Sequence, residues 1–454
     1  MNGFARLRRR EFARLDREGH AYLDYTGSAL YATSHVRAHA RFLTSAVLGN
    51  PHSANPASLA STRWIERARE KVLEFFRADL AEYDIVFTAN ASAAIKLVGE
   101  SYPFGARAAL VRTADNHNSV NGLRCWAERA GAPVHTVPLD GELRAHDPID
   151  WLRRAEGGLF AYPAQSNFSG VRHPLAWVDS ARAAGYDVLL DAAAFAPTSP
   201  LRLDSVRPDF VCLSFYKMFG YPTGVGALIA RRDALARLRR PWFAGGTVKF
   251  VSVQNGLHRL RDGAEAFEDG TPDFLAISAL PAGLRLLEHI GLETIRRRVE
   301  RLTARLIAGL AGLRHPGGAP RVRIYGPASL EERGGSVAFN VLAQDGTVLP
   351  FWQVEADAAR VGVSVRGGCF CNPGAAEHAL GIPAERSAAC LRESGEDFTP
   401  AAFADCLGGG PVGAVRASVG IATVPRDIDR LIGLLAVAGA KHGSHAIRTA
   451  IVVA

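Results

Sequence analysis

Short apolar runs alternate with helix-length segments between residues 84 and 230. The runs end in polar or glycine-rich turns and have the length of strands: DIVFT, AALVRT, GLFAY, DVLLD, DFVCLS and GVGALIA. Segments such as SVNGLRCWAERAG and PLAWVDSARAAG lie between several of them and have the length of helices. Apolar strands separated by helices are typical of a mostly parallel sheet that is covered on both faces. This region is therefore predicted to be an α/β domain.

The pattern changes from about residue 278 onwards. A long helical stretch, ALPAGLRLLEHIGLETIRRRVERLTARLIAGLAGL, precedes two short strand-like runs, RVRIYG and GSVAFNVL. A helix near Trp352 to Arg360, a loop with two cysteines, the run GAVRASVG and a helix after Pro425 follow. We predict a large domain over residues 20–285 and a small α+β domain over residues 286–454, with the N-terminal segment 1–19 packed on the small domain.

The composition argues against several classes of protein. The 454 residues are 48% hydrophobic and 22% charged, which is typical of a globular protein. The formal charge of +8 comes mostly from dispersed arginines, and the one short basic tract is RLRRR at Arg6 to Arg10. A solvated basic surface is therefore favoured over nucleic-acid binding. The N-terminus lacks the apolar core of a signal peptide and no apolar run approaches a membrane span, so we expect a cytoplasmic protein with no membrane partner.

The six cysteines are sparse and irregularly spaced, which does not suggest a disulfide framework and favours a reducing compartment. Two of them, Cys369 and Cys371, lie in the glycine-rich stretch VRGGCFCNPGAA. This pair is compatible with a metal clip, a disulfide, buried side chains, or one nucleophile with a neighbouring thiol. A metal site needs more ligands than the nearby His378, and a disulfide between residues this close is strained. The loop by itself does not choose among these roles.

Two polar side chains follow buried strands at the edge where open α/β sheets bind their ligands. Asp191 comes directly after DVLL, and Lys217 follows DFVCL in the aromatic turn SFYKMFGYPTG. The alternative for Asp191 is the cap of a turn, and for Lys217 it is a stem packed on aromatic rings with its amine in water. A desolvated lysine has a lowered pKa and becomes a nucleophilic amine. A lysine that forms a Schiff base, with an acid for a pyridinium nitrogen, is what pyridoxal phosphate requires.

A phosphate-bearing cofactor also needs a cradle. In FTANASAAIKLVGE a strand runs into Asn90-Ala91-Ser92, which opens an alanine-rich helix. The backbone N–H groups and dipole of a helix N-terminus favour a phosphate, and Ser92 can add a hydroxyl. As an isolated signal this is weak, because serine is common at helix N-termini.

Nine stretches occur in the order expected for class V, fold-type I pyridoxal-phosphate enzymes: YLDYTGSALY, NPHS, DNHNSV, YPAQSNFSG, LDAAAFAPTSPL, DFVCLSFYKMFGYPTG, FEDGTPDF, RGGCFCNPGA and VRASVG. The chain resembles this family from about Tyr22 to Arg430, and it is most similar to the cysteine-desulfurase-like domain of molybdenum cofactor sulfurases. The resemblance implies a fold-type I α/β transferase with a mostly parallel sheet in its large domain. It also implies pyridoxal 5'-phosphate as cofactor and a homodimer.

The resemblance assigns cofactor-binding roles to individual residues. Lys217 would carry the cofactor as a Schiff base, and Asp191 would pair with the pyridine nitrogen. His117 would stack on the ring, with its neighbour Asn116 as the alternative if the register shifts by one. Asn167 would bond the phenolic oxygen of the ring. The phosphate would be held by side chains of both subunits: Ser92, Ser214 and Tyr216 from one, and Thr271 from the other.

The resemblance also implies L-cysteine as substrate. Arg416 would grip its carboxylate, for which a guanidinium fork is well shaped, and Arg366 and His52 would line the substrate site. In desulfurases the catalytic cysteine follows an arginine by five residues, and counting from Arg366 gives Cys371 rather than Cys369. Cys371 would take the sulfur as a persulfide, leave L-alanine, and pass the sulfur to an acceptor.

Three features depart from the family pattern. A glutamine that many desulfurases carry three residues after the aspartate is Ala194 here, and a cysteine that often follows Asn-Pro-Gly in molybdenum cofactor sulfurases is Ala376. The chain also ends soon after VRASVG, which is too early for the further C-terminal domain of full-length sulfurases. The acceptor therefore stays open among the molybdenum cofactor, an iron–sulfur scaffold and a thiolation partner. Two other functions remain: a C–S lyase or aminotransferase that uses the same cofactor, and a non-catalytic scaffold.

Overall fold

The structure is a computed structural model and describes residues 3–396 and 398–438. The strands are, in chain order, β1 (Ala21–Tyr22), β2 (Tyr83–Thr88), β3 (Ala109–Thr113), β4 (Val134–Val137), β5 (Gly158–Pro163), β6 (Tyr186–Asp191), β7 (Phe210–Ser214), β8 (Gly226–Arg231), β9 (Val248–Ser252), β10 (Leu257–Leu260), β11 (Val322–Tyr325), β12 (Ser336–Val341), β13 (Val363–Ser364), β14 (Arg366–Gly368) and β15 (Ala414–Ser418).

The α-helices are α1 (Gly3–Glu11), α2 (Ala13–Arg17), α3 (Thr33–Ser45), α4 (Pro56–Phe75), α5 (Ala91–Ser101), α6 (Asn118–Asn121), α7 (Arg124–Arg129), α8 (Ile149–Leu152), α9 (Trp177–Ala183), α10 (Phe215–Phe219), α11 (Arg232–Arg237), α12 (Phe274–Ile277), α13 (Leu280–Ile290), α14 (Leu292–Ala311), α15 (Phe351–Arg360), α16 (Pro373–Leu380), α17 (Ala384–Ser394), α18 (Pro400–Cys406) and α19 (Pro425–Val437). A 3-10 helix spans Gly263–Phe267.

The main sheet has the strand order β2-β8-β7-β6-β5-β3-β4. Strands β3 to β7 run parallel, and β8 is antiparallel to both of its neighbours, β2 and β7. The six predicted strands all form, and β4, which the sequence pattern did not predict, adds one edge. The predicted fold class, α/β with a mostly parallel sheet, is confirmed.

Both faces of this sheet are buried, as its nearly continuous apolar strands require. Along β7, Val211 and Leu213 belong to the core under α4, α9 and α13. Phe210 and Cys212 alternate with them and belong to the core under α5, α7 and α11. Helices on both faces leave the strand ends open for ligands, since the backbone there is not covered by the next layer.

A second, antiparallel sheet has the order β11-β12-β15-β14, with helices α14 and α15 beside it and α19 packed on α14 and on the β1–β13 pair. Its elements are those predicted for the C-terminal part of the chain, including the helix near Trp352. Cys390 of α17 and Cys406 of α18 form a disulfide in the structure. The irregular cysteine spacing did not predict this single pair, because the fold brings side chains 16 residues apart into contact.

The N-terminal segment contacts the C-terminal part of the chain. The guanidinium of Arg8 donates to Asp427 Oδ2 and to the carbonyl of Ala422, both at 2.6 Å, and β1 pairs in parallel with β13. The predicted boundary at residue 285 falls inside α13, and the division into two domains stays a prediction. Residues 1–2, 397 and 439–454, which the predicted domains include, lie outside the described residues.

The helices of the described ranges differ from a membrane span in length or composition. No single helix there is long and apolar enough to cross a membrane. One bent pair, Phe274–Ile290 with Leu292–Ala311, has the required length and composition when taken together, and its axis bends by 68°.

Candidate active site

Four predicted site residues lie at the carboxyl edge of the main sheet. Strands β7, β6, β5 and β3 are adjacent and parallel, so the residues that follow them converge at one edge. Lys217 follows β7, Asp191 ends β6, Asn167 follows β5 and His117 follows β3. The topology therefore brings together side chains that the sequence separates by up to 100 positions.

Lys217 lies on the short helix α10, which starts directly after β7. The helix ends at Gly220, whose φ of 79° is left-handed and whose Cβ position would lie 2.3 Å from the backbone N of Tyr31. Only glycine fits this turn, and the turn holds the lysine at the sheet edge. Burial lowers the pKa of Lys217, and the carboxylate of Asp191 only partly opposes this shift. The amine is thus biased towards its neutral, nucleophilic form.

Asp191 is 8% exposed, and its carboxyl group is oriented by its own turn. Oδ1 accepts a hydrogen bond from the N–H of Ala193 at 3.0 Å. Oδ2 makes no hydrogen bond or ion pair within the described part of the chain. A buried carboxylate with one free oxygen fits the N–H of a pyridinium ring, which would satisfy that oxygen.

The structure separates the roles of Asn116 and His117. Asn116 is fully buried, and its amide donates to the carbonyls of Thr113 (2.8 Å) and Ala161 (3.1 Å), which ties β3 to β5. His117 is half-buried, and its Nδ1 accepts from the N–H of Ser119 at 3.1 Å. Burial lowers the pKa of His117, while the charge of Asp191 raises it and that of Lys217 lowers it further. The imidazole of His117 therefore lies near Asp191 and Lys217, whereas the amide of Asn116 is already bound to backbone carbonyls.

Three hydroxyl groups gather at the N-terminus of α5. Ser214 Oγ accepts from the N–H of Ala91 at 2.9 Å, and Ser92 Oγ lies 2.6 Å from Ser119 Oγ. The Cβ position of Gly226 is 2.5 Å from the backbone of Asn90, so only glycine lets β8 approach this turn. Ser119 was missed by the sequence analysis, because its place beside Ser92 depends on the packing of α6 against α5. The cluster offers hydroxyl donors at a helix N-terminus, which suits a phosphate.

Tyr216 directly precedes Lys217 in α10 and is half-buried. Burial raises the pKa of its phenol, and the charge of Arg366 opposes this shift. The phenol of Tyr216 thus remains neutral at physiological pH.

Two arginines lie directly opposite each other on neighbouring strands of the second sheet. Arg366 of β14 and Arg416 of β15 are register partners, and both pair with Asp24. Arg416 is 2% exposed, donates to the carbonyl of Asn167 at 2.9 Å, and lies over the Phe370 ring at 4.7 Å. Burial lowers the pKa of Arg416. Sequence reasoning missed Asp24, although an acid inside the apolar run AYLDY was a signal that it is paired.

Asn167 joins Arg416 to the cysteine loop. Its amide Nδ2 donates to the carbonyl of Phe370 at 2.7 Å, and its Oδ1 accepts from Nδ2 of Asn372 at 2.9 Å. One N–H of the amide stays available for the cofactor oxygen that the resemblance assigned to it. Asn167 therefore connects the substrate arginine, the sheet edge and the loop.

The cysteine loop is held by hydrogen bonds on both sides of Cys371. The N–H of Asn118 donates to the Cys371 carbonyl at 2.7 Å, and the buried amide of Asn372 donates to the carbonyl of Asp115 at 2.7 Å. Phe370 and Cys371 have φ values of 56° and 55°, which are left-handed and uncommon for such residues. These contacts keep the loop in a strained conformation that presents the exposed thiol of Cys371.

The glycines around the loop serve close packing. The Cβ position of Gly374 lies 2.1 Å from the carbonyl oxygen of Ala114, and that of Gly367 lies 2.4 Å from the Phe351 ring. A glycine-rich loop suggests a backbone that is free to swing, but Gly367 and Gly374 are packed against neighbouring atoms instead. Gly368, with φ of 111° and no atom within 4 Å of its Cβ position, is the exception.

The two thiols of the loop differ in environment. Cys371 is exposed, whereas Cys369 is half-buried against the apolar cluster that contains Phe168 and Phe370. Burial raises the pKa of the Cys369 thiol. Cys371 is thus the thiol that a second molecule can reach.

The sequence profile of the family described as aminotransferase class-V matches residues 21–431. The chain belongs to the class-V aminotransferase family. It is 37% identical to molybdenum cofactor sulfurase of Drosophila mojavensis over 94% of its own length and 58% of that protein. It is also 37% identical to molybdenum cofactor sulfurase of Bos taurus over 97% of its own length and 52% of that protein. The chain thus spans about half the length of the curated relatives it matches.

Solved structures of cysteine desulfurases have the same fold as this chain. The apo cysteine desulfurase of Thermococcus onnurineus NA1 superposes with a TM-score of 0.78 at 26% identity, over 96% of this chain and 98% of that one. A cysteine desulfurase of Escherichia coli gives a TM-score of 0.75 at 22% identity, over the same shares. The fold-type I architecture that the sequence predicted is confirmed.

Two predicted site residues lie apart from the Lys217 site. Thr271 Oγ1 accepts from Asn50 Nδ2 at 3.1 Å, and His52 Nε2 lies 3.3 Å from the carbonyl oxygen of Gly270. All four residues are at least partly exposed. Among the described residues, no hydrogen bond or ion pair connects this cluster to the side chains around Lys217. The structure brings His52 to Thr271, and within one chain it does not bring either to the sheet-edge site.

Proposed function

We propose that this chain is a pyridoxal-phosphate-dependent cysteine desulfurase, which converts L-cysteine to L-alanine and holds the sulfur as a persulfide on Cys371. The observation that carries the proposal is the meeting of an exposed thiol and a buried amine at one site. The guanidinium of Arg416 lies 4.7 Å from the ring centre of Phe370, which directly precedes Cys371, and the Cys371 sulfur is close enough that its charge would raise the pKa of Lys217. An amine base, a carboxylate-binding arginine and a thiol nucleophile are the set that this reaction needs.

The residues of the sheet edge fit pyridoxal phosphate. Asp191 offers a free carboxylate oxygen to the ring nitrogen, His117 a ring face, and Asn167 an amide N–H to the phenolic oxygen. The hydroxyls of Ser92 and Ser214 at the α5 N-terminus, together with Tyr216, would hold the phosphate. When bound, the cofactor supplies an electron sink that makes the Cα–H of an amino acid acidic.

The chain's own groups would then carry the proton and the sulfur. Lys217, whose pKa is lowered by burial, takes the proton from Cα as a neutral amine. Arg416 and Arg366 hold the substrate carboxylate. The thiolate of Cys371 attacks the substrate sulfur, so that a sulfur–sulfur bond forms and the bond between Cβ and sulfur breaks. Cβ then gains a proton, and the ammonium of Lys217 returns a proton to Cα. The products are L-alanine and a persulfide on Cys371.

The proposed acceptor of this sulfur is the molybdenum cofactor, because the similar proteins of fly and cattle are molybdenum cofactor sulfurases. Since the chain spans about half of those proteins, the acceptor is presented either by a separate protein or by a part outside this sequence. The Cys371 thiol is exposed, and hydrogen bonds hold its loop in place. The acceptor would therefore bind next to Cys371. A cytoplasmic location belongs to the same proposal.

Product analysis tests the proposed function. The purified protein, loaded with pyridoxal phosphate, is incubated with L-cysteine and a thiol, and L-alanine and protein-bound sulfur are measured together. We expect L-alanine, with sulfur bound to the protein before the thiol is added. Pyruvate and free sulfide would instead indicate a C–S lyase, and a keto acid formed with an amino-group acceptor would indicate an aminotransferase. A protein that binds no cofactor would be the non-catalytic scaffold.

We further propose a homodimer in which Thr271 reaches the phosphate of the partner's site. The hairpin β9–β10 and the segment before it expose large apolar side chains that a monomer would leave in water: Trp242, Phe243, Phe250, Val253 and Leu257. The Gly270 N–H donates to the carbonyl of Gly245 at 2.7 Å, so this surface adjoins the loop of Thr271. A second copy of this chain is the proposed partner at this surface. It would cover the apolar side chains and bring the cofactor phosphate of its own site to Thr271.

Disrupting this surface is expected to give a monomer that holds the cofactor weakly. Val253 is 94% exposed, and Val253→Asp places a charge where the proposed interface excludes water. Analytical ultracentrifugation should show a dimer for the native protein and a monomer for the variant, with a lower cofactor content. Val361→Asp is the matched control, since it makes the same change at a 46% exposed valine outside this surface. A native protein that sediments as a fully active monomer would contradict the proposal.

A further inference from the structure

We propose that Asp24 sets the charge of the substrate subsite and thereby selects amino acids with a single acid group. The inference rests on the proposed function only in taking Arg366 and Arg416 as the carboxylate-binding pair. Asp24 itself is a positioning residue, because it acts on a ligand through these two arginines.

Asp24 is built into the subsite. It is 8% exposed, and its backbone carbonyl accepts from the N–H groups of Gly27 and Ser28 at 3.1 Å each. The Cβ position of Gly27 lies 2.5 Å from Asp24 Oδ2 and 2.7 Å from Arg366 Nη2. Any larger residue at position 27 would displace the ion pair between Asp24 and Arg366. Glycine at this position of the turn therefore leaves the space that the ion pair needs.

One carboxylate serves two guanidinium groups. Asp24 Oδ2 accepts from Arg366 Nη2 at 2.6 Å, and Oδ1 accepts from Arg416 Nη2 at 3.1 Å. The two arginines are direct cross-strand partners, a placement in which like charges repel. Asp24 therefore keeps both guanidinium groups at one place and cancels one of their two positive charges.

The arginines keep donors for a ligand. The Nε–H of Arg416 is buried and has no hydrogen-bond partner within the described residues, and the Arg366 side chain is 48% exposed. Its Nη1 likewise makes no hydrogen bond there. The subsite thus combines one uncancelled positive charge with free N–H groups, which a single carboxylate satisfies. The other acid nearby, Glu355, acts on Arg366 more weakly and forms no ion pair with either arginine.

The charge balance predicts selectivity. A ligand with one carboxylate beside its amino group, such as L-alanine or L-cysteine, brings the trio of Asp24, Arg366 and Arg416 to neutrality. A ligand with two acid groups, such as L-aspartate, leaves an excess negative charge in a largely buried site, which is unfavourable. Removing the charge of Asp24 leaves two positive charges and should favour the diacid.

The test measures binding rather than turnover. Dissociation constants for L-alanine and L-aspartate are obtained from the change in absorbance of the cofactor-loaded protein, and their ratio is compared among variants. In Asp24→Asn the preference for L-aspartate over L-alanine should rise by about tenfold or more. In Asp24→Asn/Arg366→Gln, which restores the net charge, the ratio should return towards that of the native protein. Glu355→Gln removes an equal charge nearby and should leave the ratio unchanged.

Each outcome bears on the proposal. An unchanged ratio in a folded Asp24→Asn protein, or an equal shift in Glu355→Gln, would overturn it. If Asp24→Asn does not fold, Arg366→Gln alone should shift the ratio towards L-alanine, and Asp24→Glu, which keeps the charge, should restore the native ratio where it folds. Failure of Arg366→Gln to shift the ratio would then overturn the proposal. A protein that binds both amino acids as expected but makes no alanine from L-cysteine would refute the desulfurase assignment and leave the role of Asp24 standing.

Discussion

Lys217→Ala is expected to abolish turnover of L-cysteine, with a loss of about 10³-fold or more. The described residues contain four lysines, and three of them form ion pairs with carboxylates: Lys71 with Glu74 and Glu288, Lys96 with Glu100, and Lys249 with Asp262. Lys217 forms none, is half-buried, and has its pKa lowered by burial. It is therefore the lysine in these ranges whose amine is prepared to act as a nucleophile and a base.

Reduction with borohydride provides a second measurement. In the native protein, borohydride should fix the cofactor to the peptide that contains Lys217, and the absorption band of the protein-bound cofactor should disappear. The Lys217→Ala protein should show neither the band of the covalent link nor a labelled peptide. Lys96→Ala is the control, because Lys96 lies 64% exposed on α5, and its removal should leave both signals intact. A Lys217→Ala protein that keeps both the band and the turnover would refute the assignment.

The fold and the sheet-edge residues were predictable because they depend on local sequence patterns. A buried parallel strand is a short apolar run, and the residue after it lies at the ligand-binding edge whatever the rest of the fold does. Asp191 and Lys217 follow from this rule alone. His117 and Asn116 could not be separated in this way, since both are polar residues of one turn. Their roles differ because the Asn116 amide points between β3 and β5, which only the assembled sheet reveals.

Features that join distant parts of the chain escaped the sequence analysis. Asp24 and Arg366 are separated by 342 positions, and their ion pair depends on β1 lying beside β13. The sequence alone does not show whether Gly367 and Gly374 bend the loop or let it pack closely. Their actual role is to permit backbone contact with Phe351 and Ala114, and no local pattern distinguishes a glycine that bends from one that packs. The Cys390–Cys406 pair likewise results from helix packing.

The anchored loop leads to a sharp contrast between its two cysteines. Cys371 is exposed, and its neighbours fix the backbone on both sides through the carbonyls of Phe370, Cys371 and Asp115. Cys369 is two residues away, but its thiol packs on an apolar cluster and burial raises its pKa, so it stays protonated. The thiolate form, which is the nucleophile, is thus disfavoured at position 369.

Cys371→Ser is therefore expected to lose all protein-bound sulfur and to form L-alanine only at background level, because the serine hydroxyl is not a nucleophile towards sulfur under these conditions. It should still bind the cofactor and change its absorbance with L-cysteine, since Lys217, Asp191 and Arg416 are untouched. Cys369→Ser should retain most turnover, with a small loss of thermal stability from placing a hydroxyl in an apolar cluster. Mass spectrometry of the protein after L-cysteine, read with and without a reductant, measures the bound sulfur directly. Reversed phenotypes would move the catalytic role to Cys369, and two active variants would favour the C–S lyase, in which neither thiol carries the sulfur.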